Sequence, residues 1–206
     1  MLHNEMPGRR SAAEARDTRE TILRHAAEVA SVDGLDGLTI GRLAGELEMS
    51  KAGVFGHFGT KEELQLATLD VGATIFRERV WEPAEHYDPG LPRLLAILES
   101  WVRYGSEPSL PGGCLLAAVS FEFDGREGRV HDAIAKWTAR WRKTLIAEIE
   151  TATRQGDLPQ YVDPEQAAWS LEALASGMNP ASQLHGDKTA QWSLRAMRAV
   201  LGLPPA

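Results

Sequence analysis

Between Thr39 and Lys61 the chain gathers side chains suited to meeting a nucleic acid. Lys51 carries a cation that can donate to a guanine edge or to a phosphate. Ala52, Gly53 and Val54 follow it and are short enough for a backbone to approach base edges closely. Val54 suits a core position equally well. Phe55 offers apolar contact of the kind a thymine methyl accepts. His57 and Lys61 read as phosphate contacts, and Lys61 adds its charge to the free N–H groups of a helix N-terminus. Thr39 and Ser50 place hydroxyls where helices should begin.

These side chains need short helices to hold them. Thr39 caps the first, because leading backbone N–H groups have no partner inside a helix. Ile40, Leu43, Ala44 and Leu47 then fall on one apolar face. Glu48-Met49-Ser50 makes a turn with Met49 as its apolar plug, and Ser50 caps the next helix, Lys51 to Phe55. So short a helix is unstable alone. It must be anchored by packing, through Val54 and Phe58. Thr60 and Glu63 form a capping box at the head of a longer helix. The pattern is that of a helix-turn-helix whose second member can enter a major groove.

Residues 39–64, and more loosely 16–70, resemble the DNA-binding domain of the TetR family of one-component transcriptional regulators. The resemblance rests on Thr39-Ile40, Leu43-Ala44, the run from Ser50 to Phe58, and Lys61-Glu62-Glu63-Leu64. It covers about the first third of the chain. It implies a regulator, most simply a repressor, that binds operator DNA as a homodimer and is released by a small molecule. Phe55 stands where the family usually has tyrosine, and Gly56 where a larger polar residue is common. The reader therefore has fewer side-chain donors than the family pattern supplies.

Charge sharpens that point. The net charge is −7, so the chain is not a generally basic protein. Residues 1–62 hold eight Lys or Arg against ten Asp or Glu. A DNA footprint on such a domain must rest on a few well-placed cations and on backbone N–H groups. Gly8-Arg9-Arg10 lies in a polar N-terminal segment that reads as a tail, with some transient DNA contact open to it. Arg16 and Arg19 face outward on the first long helix, Asp17 to Val32, as phosphate contacts or as plain surface.

The remaining chain reads as helix after helix. Thr60 to Arg79 continues as one helix that joins the reader to the rest. Further amphipathic segments run from Leu91 to about Tyr104, Arg126 to Gln155, Pro164 to about Leu184, and Asp187 to Leu201. Cys114 to Phe123 is so apolar that burial on almost all sides is expected. There is no convincing strand and no internal repeat. The expected fold is all-α with about nine helices: a helix-turn-helix domain over residues 13–62 and a helical effector-binding and dimerisation domain over 63–206.

Five of the six tryptophans lie at or beyond Trp81 and before Trp192. Large flat side chains around a buried space suit an apolar or aromatic ligand, although such a stripe also makes ordinary core. The resemblance implies an inducer pocket between the long helices, which places Trp101, Tyr104, Phe121, Trp137, Trp141 and Met178 near it. It also implies that the last two helices of each subunit pack as a four-helix bundle. Trp169, Leu171, Leu174, Trp192, Leu194 and Met197 are the expected interface residues.

Other chemistry is weakly represented. Glu127 and His131 share a helix face, with Asp124 and Asp132 nearby, but no second histidine sits at ligand spacing, so no metal or cofactor is expected. Cys114 is the single cysteine and cannot form an internal disulfide. Neither a nucleophile–base pair nor a phosphate-binding glycine loop is present, which argues against an enzyme. No apolar run matches a membrane span or a signal peptide, so a cytoplasmic protein without a membrane partner is expected. Two other readings remain open: an activator of the same fold, and a helical small-molecule-binding protein that has lost DNA binding.

Overall fold

A computed structural model describes residues 12–185 and 188–204. Arg9 and Arg10 lie outside the described residues. The described chain is helical throughout, without a strand. In order the helices are α1 (Ala12–Asp33), α2 (Ile40–Glu46), α3 (Lys51–Phe58), α4 (Lys61–Phe76), α5 (Leu91–Ser106), α6 (Leu115–Phe123), α7 (Arg129–Gln155), α8 (Pro164–His185) and α9 (Lys188–Val200).

The sequence explains most helix boundaries. Thr39, Ser50 and Thr60 each accept a hydrogen bond from the backbone N–H three residues on, at 3.0–3.1 Å. Asp163 does the same for Gln166 at 2.8 Å, with Pro164 fitting the first helical position. Gly34 ends α1 at φ 74°, a left-handed conformation that costs glycine little. Glu48 takes φ 53° in the turn between α2 and α3, a position better suited to glycine.

Several boundaries differ from expectation. α1 already includes Ala12, more than a turn before Asp17. α4 does not continue as an α-helix to Arg79: beyond Phe76 it widens into a π-helical turn, Arg77–Trp81. α7 begins at Arg129, after a turn closed by the Arg126 N–H on the Phe123 carbonyl at 3.1 Å. α6 is not buried all round, because Phe121 is 64% exposed. Glu63 does not complete a capping box; its carboxylate meets Arg129 at 2.6 Å.

Helices α1–α3 form one end of the molecule, where Leu35, Leu38, Leu43, Val54 and Leu64 are fully buried. α4 packs on α1 and on α7, so it crosses the expected domain boundary without a break. Its last residue, Phe76, is buried among aromatic side chains of α5 and α7. α5 lies against α7, α8 and α9, while α6 bridges α1, α4 and α7.

Candidate DNA interface and effector cavity

On α3, spacing divides the side chains into two faces. Val54 and Phe58, four residues apart, are buried where α3 packs with α2 and α4. Lys51, Ala52, Phe55 and Gly56 are exposed. Phe55 is 54% exposed, an unusual position for a large apolar ring and one suited to contact with another apolar group. The end of the Lys51 side chain runs beside Gly41 of α2, at ordinary contact distance from where a Cβ would stand. Among the expected DNA contacts, Val54 is the one placed in the core; Lys51, three residues before it at the first position of α3, reaches solvent with its longer side chain. Thr39 and Ser50 are exposed caps whose oxygens already accept from Arg42 N and Gly53 N.

Half of the Lys and Arg side chains described at this end are committed inside the chain. Arg42 binds Asp33 at 2.7 Å and Glu46 at 2.9 Å. Arg19 does not face outward: its guanidinium donates to the His57 carbonyl at 2.6 Å and stacks over the Phe58 ring. Lys61 donates to the Asp36 carbonyl at 2.8 Å. Arg16, Arg24 and Lys51 make no ion pair among the described residues and are exposed. The His57 ring is half-buried beside Phe58. Among the described residues this end thus offers three uncommitted cations, Arg16 and Arg24 on α1 and Lys51 at the N-terminus of α3, whose first N–H groups also lack helical partners.

The second feature is a cavity of about 240 Å³ between α5, α6, α7 and α8. Trp101, Tyr104, Trp137, Trp141 and Met178 line it together. Phe121 does not: it projects from the outer face of α6 into a surface groove with Trp169. Phe76 was not anticipated, yet it is the hub. Its ring meets Trp101, Tyr104, Trp137 and Trp141 edge-to-face at 4.9–5.9 Å. Phe76, Trp137 and Trp141 also form the wall of a second cavity of about 500 Å³ against α4 and the π-turn.

Polar groups around the first cavity are mostly satisfied within the chain. Burial pushes the Tyr104 phenol far up, so it stays neutral, and it hydrogen-bonds the Cys114 thiol. Burial likewise raises the Cys114 thiol, which makes it unreactive packing. The Cys114 N–H donates to Asn179 at 2.9 Å. Ser120 and Thr138 bond to carbonyls of their own helices. Arg142 and Glu172 form an ion pair at 2.5 Å; burial raises the Glu172 carboxyl and Arg142 opposes that shift. The one buried side-chain nitrogen or oxygen without a hydrogen-bond partner among the described residues is Trp141 Nε1.

α6 connects the two features. One face carries Leu116, Ala117 and Ser120 of the cavity wall. The other carries Glu122, which accepts from the backbone N–H groups of Leu35 and Asp36 at 2.8 Å each. Successive N–H groups in a turn make a natural carboxylate seat. Arg126, just beyond α6, binds the Asp36 side chain at 2.5 Å, and Gln65 of α4 donates to the Leu35 carbonyl. Before α6, Gly112 donates to Ser31 Oγ at 3.0 Å so closely that a Cβ there would overlap the Ser31 carbonyl. The turn leaving α1 is thus gripped by residues on both sides of a cavity-lining helix.

Residues 90–200 match the family described as "Tetracyclin repressor-like, C-terminal domain", and residues 22–68 match "Bacterial regulatory proteins, tetR family". The chain belongs to the TetR family. It is a DNA-binding transcriptional regulator with an N-terminal helix-turn-helix and a C-terminal helical domain. A similar protein is the HTH-type transcriptional regulator SrpR of Pseudomonas putida, 24% identical, the match covering 96% of this chain and 91% of SrpR. Among solved structures, a TetR transcriptional regulator from Chloroflexus aurantiacus J-10-fl superposes with a TM-score of 0.84 at 23% identity, over 93% of this chain and 98% of that one. AibR in complex with isovaleryl coenzyme A and operator DNA gives a TM-score of 0.74 at 22% identity, over 91% of this chain and 98% of AibR. At these identities the structural likeness speaks for the fold.

In this TetR-family chain the C-terminal residues divide unevenly. Trp169 and Trp192 are 58% and 61% exposed on α8 and α9. Leu174 and Trp192 line a groove between those helices, and Leu194 is half-buried. Leu171 and Met197 are fully buried inside the chain and are not available to a partner. They lie on the inward faces of helices whose outward faces are also apolar. Glu127, His131, Asp124 and Asp132 do not assemble a metal site: no cluster of three potential ligands occurs among the described residues. No helix among them is long and apolar enough to cross a membrane.

Glu122, Phe76 and the π-turn are the residues that sequence reasoning missed. An acid near the end of the apolar run Cys114 to Phe123 was the available signal for Glu122. Phe76 carried none, since an apolar residue at helical spacing reads as ordinary core.

Proposed function

We propose that this TetR-family protein is a homodimeric repressor, released from a palindromic operator by a small apolar or aromatic molecule. The observation that carries the reading is α6, which lines an aromatic cavity on one face and holds the turn leaving α1 on the other. In the DNA-bound state Lys51, Ala52, Gly53 and Phe55 face the bases. Thr39, Ser50, His57 and the N-terminus of α3 take phosphates, and Lys61 supports them from its site on the Asp36 carbonyl. Trp169, Leu174, Trp192 and Leu194 form the self-association face of α8 and α9.

Ligand in the cavity displaces α6, and Glu122 passes the displacement to the reader. The two readers of the dimer then no longer match successive major grooves. A coupling of about 1–3 kcal/mol suffices for a 5- to 150-fold loss of operator affinity. AibR, solved with both isovaleryl coenzyme A and operator DNA, is a fold relative in which ligand and DNA sites coexist. Selection from a random duplex library tests the proposal. A palindrome should be enriched, and Lys51→Ala should weaken and relax its recognition. Absence of an enriched palindrome, or indifference to Lys51→Ala at fixed salt, would refute the assignment of α3.

A further inference from the structure

The cavity described above says what chemistry its ligand must have. We propose that the effector is an uncharged, flat, mostly apolar molecule bearing a hydrogen-bond acceptor, and that Trp141 selects it by donating from Nε1. The inference rests on the reading of this cavity as the effector site and narrows it.

Two observations favour an uncharged ligand. The cavity wall holds only two charged side chains, Arg142 and Glu172, and they are paired with each other at 2.5 Å. An anion would have to take Arg142 from Glu172, leaving a carboxylate only 15% exposed without its partner, where desolvation is costly. A cation would find no free counter-charge, only ring faces or a carboxylate already paired with Arg142. Hydrogen bonding supplies the polarity. An indole N–H only donates, and Trp141 Nε1 is buried with no acceptor. Trp141 packs edge-to-face with Phe76 at 4.9 Å and with Trp101 at 5.3 Å, and the ring faces these neighbours offer are weak acceptors. A ligand oxygen that enters between these rings replaces a weak contact with a full hydrogen bond. A flat ligand body can replace the ring contacts that are parted.

The test uses four naphthalene probes and calorimetric titration of the full-length protein. Acetylnaphthalene has the acceptor, isopropylnaphthalene is its apolar counterpart, naphthoate is an anion and naphthyltrimethylammonium is a cation. The ketone should bind about three- to tenfold tighter than its apolar counterpart, and tighter than either ion. In Trp141→Phe the order of the neutral pair should invert, since the ketone oxygen is then desolvated without a donor. The neutral pair tests the unmodified chain even where that variant does not fold. Equal binding of the pair, or a persisting ketone preference in Trp141→Phe, overturns the role of Trp141. Tightest binding by either ion overturns the ligand class. If none of the four binds, the effector cavity falls and this inference with it, whereas bound but undiscriminated neutral probes remove only this inference.

Discussion

Replacing Glu122 by alanine should loosen the turn between α1 and α2 without unfolding the protein. The carboxylate accepts from Leu35 N–H and Asp36 N–H, each at 2.8 Å. Bonds of this kind to a charged group contribute roughly 1.5–3 kcal/mol when fully buried. Glu122 is half-buried, so water replaces part of each bond, and about 1 kcal/mol per bond is a fairer figure. The pair then stabilises the closed turn by about 2 kcal/mol, or roughly thirtyfold in its opening equilibrium. Native-state amide hydrogen exchange reads this directly. Leu35 and Asp36 should exchange about thirtyfold faster in Glu122→Ala, with an intermediate effect in Glu122→Gln. Gly34, whose N–H bonds the Ala30 carbonyl within α1, should change little. Unchanged exchange at Leu35 and Asp36 would refute the grip of α6 on the reader. Equal acceleration along all of α1 would show general destabilisation instead. In Glu122→Ala, ligand and operator should each still bind, but the effect of one on the other should shrink.

Gly112→Ala should be a damaging change, because its Cβ would overlap the Ser31 carbonyl. A cost of about 2 kcal/mol, and a fall of about 4–8 °C in Tm, is expected by thermal denaturation. Asp36→Asn should reveal an acid-dependent tie between the halves. The hydrogen bond from Arg126, then the charges of Arg126 and Lys61, hold the Asp36 carboxyl below its ordinary range against a desolvation effect that raises it. A folded value below the unfolded one stabilises the fold above about pH 4 and loses that contribution as the pH falls through the folded value. The difference in urea stability between Asp36→Asn and the unmodified protein should therefore be present at neutral pH and close in acid. A pH-independent difference would count against the pairing.

The reader was legible because its signals are local. Thr39, Ser50 and Thr60 cap helices by contacts three residues away, and the joint burial of Val54 and Phe58 follows from helical spacing. The charge state of that reader was not legible. Arg19 and Lys61 read as phosphate contacts or open surface in sequence, but each finds its partner through contacts that only the folded chain creates. The cavity was half visible. Trp101, Tyr104, Trp137, Trp141 and Met178 converge on it, whereas Phe121 lies on the wrong side of a short helix with apolar residues all round. Leu171 and Met197 fail for the same reason, since α8 and α9 are apolar on an inward and an outward face. Periodicity finds apolar stripes but does not say which neighbour covers each.

The account's central claim is that two copies of this chain present α3 to successive major grooves. Hydroxyl-radical footprinting on the duplex enriched by selection tests it most directly. Two symmetric protected patches about one helical turn apart, roughly 34–36 Å or a multiple of it, are predicted. Lys51→Ala should weaken both equally. A single protected patch, or uniform protection unchanged by Lys51→Ala, would contradict the claim.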